Sequence, residues 1–145
     1  MDLRRRTALA AGVVFASLML RGQAVWAADP CSLLTAEQAA AALGVPDVNA
    51  GGSAKMCHWT PKKNAQGAGE LSVVLEGAND GAKLTGRGTA LGGVGDEAIQ
   101  TVVNNGAVLH VRKGNMWFVV DVQGAPLAQA TQAEQTVAKE IAAKL

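Results

Sequence analysis

Apolar positions change their spacing several times along this chain, and each change predicts an element. A continuous apolar run from Thr7 to Leu20 follows Arg4, Arg5 and Arg6. Next comes Thr35-Ala36-Glu37-Gln38, in which Thr35 is suited to cap a helix and Gln38 stands three residues on, as in a capping box. A short alanine-rich helix over about 36–43 follows, closed by Gly44 in a left-handed conformation and by Pro46. From Lys55 the period becomes two: Met56 and His58 point one way and Cys57 and Trp59 the other, with the second pair inward, until Pro61 stops the strand. Residues 62–69 form a loop, and Leu71, Val73 and Leu75 alternate with Ser72, Val74 and Glu76 as a second strand.

The later strands carry their own register. Gly114-Asn115 places glycine first in a two-residue hairpin, which suits a type II′ turn. Pairing across it sets Val111 opposite Phe118 and Leu109 opposite Val120 on one face. On the other face it sets Arg112 opposite Trp117, His110 opposite Val119 and Val108 opposite Asp121. At Asn104-Asn105-Gly106 a three-residue loop, which buries Ile99 and Val103, is favoured over a two-residue loop that buries Val102, because a slip of one residue exchanges the faces. The segment 77–95 holds seven glycines and reads either as a mobile loop or as a helix remnant over 80–84 with a long return. After Pro126, the residues Leu127, Ala130, Val137, Ile141 and Leu145 recur at helical spacing and predict a C-terminal amphipathic helix of about five turns. Helix, antiparallel strands, helix is an α+β fold: a mainly antiparallel sheet packed with a short N-terminal and a longer C-terminal helix.

The arginines before the first apolar run give it the character of an export signal. Val25-Trp26-Ala27 meets the small-residue rule, so cleavage is expected after Ala27, leaving a single α+β domain over 28–145. At about 14 residues the run is short of the roughly 20 needed to span a bilayer, and no stable membrane anchor is expected. Arg5-Arg6-Thr7-Ala8-Leu9 resembles a weak twin-arginine signal and Arg21 lies near the cut, although the general secretory route is favoured. Cys31 follows Ala28-Asp29-Pro30, which does not form a lipid-acceptor site. The mature protein is therefore expected to be soluble and periplasmic or secreted.

Export changes the meaning of the cysteines and the charge. Cys31 and Cys57, 26 residues apart, are expected to pair in an oxidising compartment, where such a loop closure contributes roughly 3–4 kcal/mol. They lack the Cys-x-x-Cys spacing of a redox pair. Residues 1–27 hold four arginines and Asp2, so the 13 basic and 12 acidic residues fall to nine and eleven, a net charge of about −2. No dense basic stretch is present, so nucleic acid is not an expected partner. With two Phe, three Trp and no Tyr, the core must rest on aliphatic residues and alanine.

Asp29-Pro30-Cys31-Ser32-Leu33-Leu34-Thr35, Cys57-x-Trp59, Gly93-Val94-Gly95-Asp96-Glu97-Ala98 and Val111-Arg112-Lys113-Gly114-Asn115 occur here in an order that resembles a widespread family of small exported bacterial proteins and lipoproteins of unknown function. The resemblance spans nearly all of the mature chain. It implies a sandwich of the general kind seen in the PsbP photosystem protein, with the two cysteines bridged. It implies no activity, and without an acylated cysteine it implies no membrane tether.

Candidate chemistry is sparse. Gly93-x-Gly95-x-x-Ala98 matches a permissive dinucleotide fingerprint, but Asp96 and Glu97 place negative charge where a pyrophosphate would sit, and no cofactor is expected. The same two carboxylates, adjacent on an extended chain, point to opposite faces and cannot flank one substrate bond. Asp96 instead suits the capping of backbone donors at the turn. Met56, His58 and His110 offer thioether and imidazole ligands of the kind that suit copper, provided their strands are neighbours. Arg112 and Trp117, flanked by Val119, His110 and Asp121, combine an aromatic, a cation and a hydrogen-bonding rim, the composition of a binding hot spot, unless another segment covers them. The expected function is a non-enzymatic exported binding module for an envelope protein, a glycan or a small ligand. Copper handling stands second and a hydrolase third, since no nucleophile motif is present.

Overall fold

A computed structural model of the chain describes residues 29–63, 67–77 and 87–145. The expected leader over 1–27 and the helix remnant over 80–84 lie outside the described residues. Two helices come first, α1 (Pro30–Leu33) and α2 (Ala36–Leu43), then strands β1 (Val48–Ser53), β2 (Met56–Pro61), β3 (Glu70–Glu76), β4 (Thr89–Ala90), β5 (Glu97–Val103), β6 (Gly106–Lys113) and β7 (Met116–Gln123), and last helix α3 (Leu127–Ala142). The strands form one antiparallel sheet in the order β1-β2-β3-β7-β6-β5-β4. The helices lie on one face of it, which is the α+β arrangement expected from the sequence.

Local chemistry sets the ends of these elements. Thr35 Oγ1 accepts from the Gln38 amide while Gln38 Oε1 accepts from the Thr35 amide, so the capping box is complete, and Gly44 closes α2 at φ 67°. Gly114 has φ 59° and Asn115 has no positive φ, as a type II′ turn requires. Lys113 therefore pairs with Met116, Val111 with Phe118 and Leu109 with Val120.

The preceding hairpin differs from expectation. Val103 pairs with Gly106 across a two-residue turn, Asn104-Asn105, not a three-residue loop. Gly106 is not at positive φ; a Cβ there would lie 2.0 Å from the Val122 carbonyl oxygen. That glycine permits close approach to β7 and does not serve the turn. Val102 thus shares the helix side with Ala98 and Gln100 but lies near the strand end, 60% exposed, and Val103 is exposed as well. Ile99 is buried, on the face away from the helices. β1, β4 and α1 carry too weak a pattern to be anticipated: β1 reads Val-Asn-Ala-Gly-Gly-Ser and pairs only with β2.

Between the layers lie Cys57 and Trp59 of β2, Leu71 and Val73 of β3, Phe118, Val120 and Val122 of β7, Leu109 and Val111 of β6, and Leu43, Val137 and Ile141 from the helices. α3 meets the sheet and α2 through Ala130, Ala133 and Ala138, small side chains that let the backbones approach. Leu127, expected inward, is 47% exposed because it sits at the first helical position, beyond the sheet contact. The Gln129 side chain donates to Leu43 O at 2.9 Å and satisfies the end of α2, and Lys144 Nζ donates to Leu33 O. The Cys31–Cys57 disulfide ties α1 to β2. Among the described residues no helix is long and apolar enough to cross a membrane.

One carboxyl group lies inside this core. Glu134 of α3 is fully buried, and it accepts from Gln100 Nε2 at 3.1 Å and from the Val122 amide at 3.3 Å. Burial pushes its pKa up to about 7, against the opposing pull of those two hydrogen bonds. The folded carboxyl keeps its proton over a range in which an unfolded glutamate, near 4.5, has released it. Its contribution to stability is therefore full below pH 4.5 and declines as pH rises through about 7, by about 3 kcal/mol in all. Glu134→Gln is expected to remove that decline and to raise stability at pH 8, as read from urea unfolding at pH 4.5 and pH 8. The Cys31→Ala, Cys57→Ala double variant is expected to lose roughly 3–4 kcal/mol in the same assay, and the oxidised wild type to match it after reduction.

Candidate functional site

The sheet face away from the helices carries nearly all the polar side chains that the sequence singles out. Alternation along the strands places them there, and the strand order sets which of them meet. One row across the sheet reads Glu76, Trp117, Arg112, Glu97. The next reads Met56, Val74, Val119, His110, Ile99, and the third His58, Ser72, Asp121, Val108, Thr101.

The centre of this face is apolar and shielded. Trp117 is 3% exposed, Ile99 5% and Val119 7%, and all three stand apart from the core between the layers. An open indole at Trp117 is therefore not what the structure presents. Trp117 serves as packed ground beside the polar groups, flanked in register by Glu76 and Arg112.

Arg112 is also committed within the protein. Its Nε donates to Glu97 Oε2 at 3.2 Å, its Nη1 donates to Gly114 O at 3.2 Å, and Asp96 Oδ2 lies 3.7 Å from Nη1. Asp96 accepts from the Gly114 amide at 2.7 Å, bracing the hairpin turn across from it, and pairs with Lys113 at 3.7 Å. That amide bond, helped by the two cations, holds the Asp96 carboxyl below its usual range. The aspartate does cap a backbone donor, as expected, but on the neighbouring hairpin.

His110 and Asp121 form the other polar group. The imidazole Nδ1 is 3.8 Å from Glu76 Oε2, and its side chain is 14% exposed. Neither Nδ1 nor Asp121 Oδ1 has a hydrogen-bond partner among the described residues, although both atoms are buried. Asp121 Oδ2 accepts from Gln123 Nε2 at 2.8 Å. Burial lowers the pKa of His110, against the attraction of Asp121, and burial raises that of Asp121, against its Gln123 hydrogen bond and His110. Both groups are thereby biased towards their neutral forms, in which an imidazole carries one donor and one acceptor.

The three metal-ligand candidates do not converge. Met56 and His58 lie on β2, and His110 lies on β6, with β3 and β7 between them. Three strand spacings amount to about 14 Å, far beyond a shared ion. Among the described residues no group of three or more His, Cys, Asp or Glu is placed to hold a metal. Local sequence could place these residues on one face, but the distance depends on strand order. For the same reason Glu76 escaped the sequence reading: it reaches His110 only because β3 pairs with β7, some forty residues away in the chain.

In an NMR titration of the imidazole, His110 is expected to have its midpoint below the usual histidine value, and Asp121→Asn is expected to lower it further, because the attraction of the carboxylate for the imidazolium is lost. A midpoint unchanged by Asp121→Asn contradicts this geometry. Among known proteins, the chain matches no protein-family model, no curated protein and no solved structure.

Proposed function

We propose that this chain is a non-enzymatic binding module that works outside the cytoplasm, in the periplasm or secreted, and engages its ligand on the sheet face away from the helices, at His110 and Asp121. The observation that carries this reading is the pair of buried polar atoms, His110 Nδ1 and Asp121 Oδ1, which have no hydrogen-bond partner among the described residues, with Glu76 Oε2 3.8 Å from the imidazole, set beside the apolar ground of Trp117, Val119 and Ile99. Leaving a buried donor or acceptor unpaired costs roughly 1–3 kcal/mol, which a ligand supplying the missing hydrogen bonds recovers. An envelope protein, a glycan or a small ligand bearing such polar groups suits the site. Arg112, held by Glu97 and Asp96, braces the rim and does not reach for an anion. The leader-like arginines and apolar run, together with the Cys31–Cys57 bridge, support export.

The test is native mass spectrometry of the chain purified from its own host's exported fraction, as wild type and as the His110→Ala and Asp121→Asn variants. The wild type is expected to retain an added mass or a co-purifying chain, and each variant to lose at least tenfold of that occupancy while remaining folded by circular dichroism. Equal occupancy in all three proteins, or a chain that resides in the cytoplasmic fraction, overturns the proposal.

A further inference from the structure

At one side the sheet ends in β1, which among the described residues pairs only with β2. Which of its main-chain groups are left over follows from the turn that joins the two strands. Ala54-Lys55 is a two-residue turn, so Ser53 and Met56 exchange hydrogen bonds, and Ser53, Gly51 and Asn49 are the residues of β1 bonded to β2. Bonds at the two ends agree with this phase: the Lys62 amide donates to Asp47 O at 3.2 Å, and on the other side of β2 the Leu75 amide donates to Lys55 O at 2.8 Å. Val48, Ala50 and Gly52 therefore turn their N–H and C=O groups to the outer edge. The Val48 amide is already engaged, donating to Asp47 Oδ1 at 2.9 Å. Ala50 and Gly52 are exposed.

Natural sheets blunt such an edge with lysine, proline, a bulge or a covering element. β1 reads Val-Asn-Ala-Gly-Gly-Ser, without charge or proline, and its register with β2 runs unbroken from Val48 opposite Pro61 to Ser53 opposite Met56. Charge lies only beyond its ends, with Asp47 before the strand and Lys55 in the turn after it, both exposed. A strand so flanked is complementary to an antiparallel copy of itself, whereas a parallel copy would set like charge against like.

The main-chain groups select one antiparallel register. A two-fold axis at Gly51 sets Ala50 opposite Gly52 of the second copy, where the pair exchanges both main-chain bonds, and brings Asp47 opposite Lys55 of the second copy at both ends. Centring on Ala50 instead would set Gly52 opposite Val48, whose amide Asp47 holds. At the axis itself Gly51 brings no side chain to collide, and its own His58 imidazole, with Nε2 3.1 Å from where a Gly51 Cβ would lie, covers it on the face away from the helices. We infer that β1 is a docking edge for a second copy of this chain, paired antiparallel about Gly51 so that the two sheets become one. β2 and β3 separate this edge from β7, so the inference does not rest on the reading of His110 and Asp121.

The probe is the oxidised chain itself, followed at low salt by sedimentation equilibrium over a wide range of concentration and by amide hydrogen exchange. A monomer–dimer equilibrium that stops at the dimer is expected. Exchange at Ala50 and Gly52 is expected to slow at least tenfold as the dimer fills, and exchange at Asn49 and Gly51, already bonded to β2, to change far less. Ala50→Pro removes an outward donor that β2 does not use and is expected to weaken the dimer at least tenfold. Lys55→Glu, in the exposed turn, sets like charges opposite each other at both ends and is expected to weaken it as well, while Lys55→Arg and His110→Ala leave it unchanged. A monomer at every concentration, assembly beyond the dimer, a foreign chain held at Ala50 and Gly52 in place of the second copy, or a dimer unchanged by Ala50→Pro or by Lys55→Glu each overturns the inference.

Discussion

The turn at Gly114-Asn115 sets how β6 lies on β7, and most of the molecule depends on that register. With Lys113 opposite Met116, the residues Phe118, Val120 and Val122 face the helices and Trp117, Val119 and Asp121 face the other way. A slip of one residue would turn Phe118 and Val120 out of the core and put Asp121 into it. The turn holds because Gly114 takes a positive φ that a side chain would strain, and because Asp96 receives the Gly114 amide from the adjacent hairpin. Asp96 and Glu97 both reach Arg112, so the β5–β6 and β6–β7 pairings brace each other at the same end of the sheet.

β7 is the strand on which both faces converge. It pairs with β3 on one side and β6 on the other, and residues from Trp117 to Val120 are buried whichever face they point to. A strand buried on both faces reads as a nearly continuous apolar run, as Met116 to Val120 does. The edges are built differently. β1 is short, contains two glycines and pairs with one neighbour, and the bridge from Cys31 to Cys57 joins the helix before it to the strand beside it. A light, alanine-rich N-terminal layer buries little area by itself, so a covalent tie there has more to contribute than it would in the centre of the sheet.

Three carboxylates in this small domain have different fates for physical reasons. Glu134, inside the core, has its proton held by burial. Asp96, at the surface with a backbone amide and two cations, is held ionised. Asp121, half-buried beside His110, lies between these limits and keeps one oxygen without a partner among the described residues. Position in the fold separates their chemistry: one group lies in the core beneath α3, one braces a turn, and one lies half-buried on the sheet face away from the helices.

Local patterns determined a large part of this protein. The capping box at Thr35, the glycine that closes α2, the inward pair Cys57 and Trp59, the alternation of β3 and the β6–β7 register were all legible, because each rests on chemistry within a few residues. At Asn104–Gly106 the same reasoning misread Gly106, whose need for glycine comes from the Val122 carbonyl on another strand. The burial of Trp117, the wide gap between His58 and His110, the meeting of Glu76 with His110 and the place of β1 at the sheet edge were decided only by tertiary structure. They depend on strand order, and no short stretch of sequence encodes it. Period and turn chemistry say which way a side chain points; only the closed sheet says what it meets there.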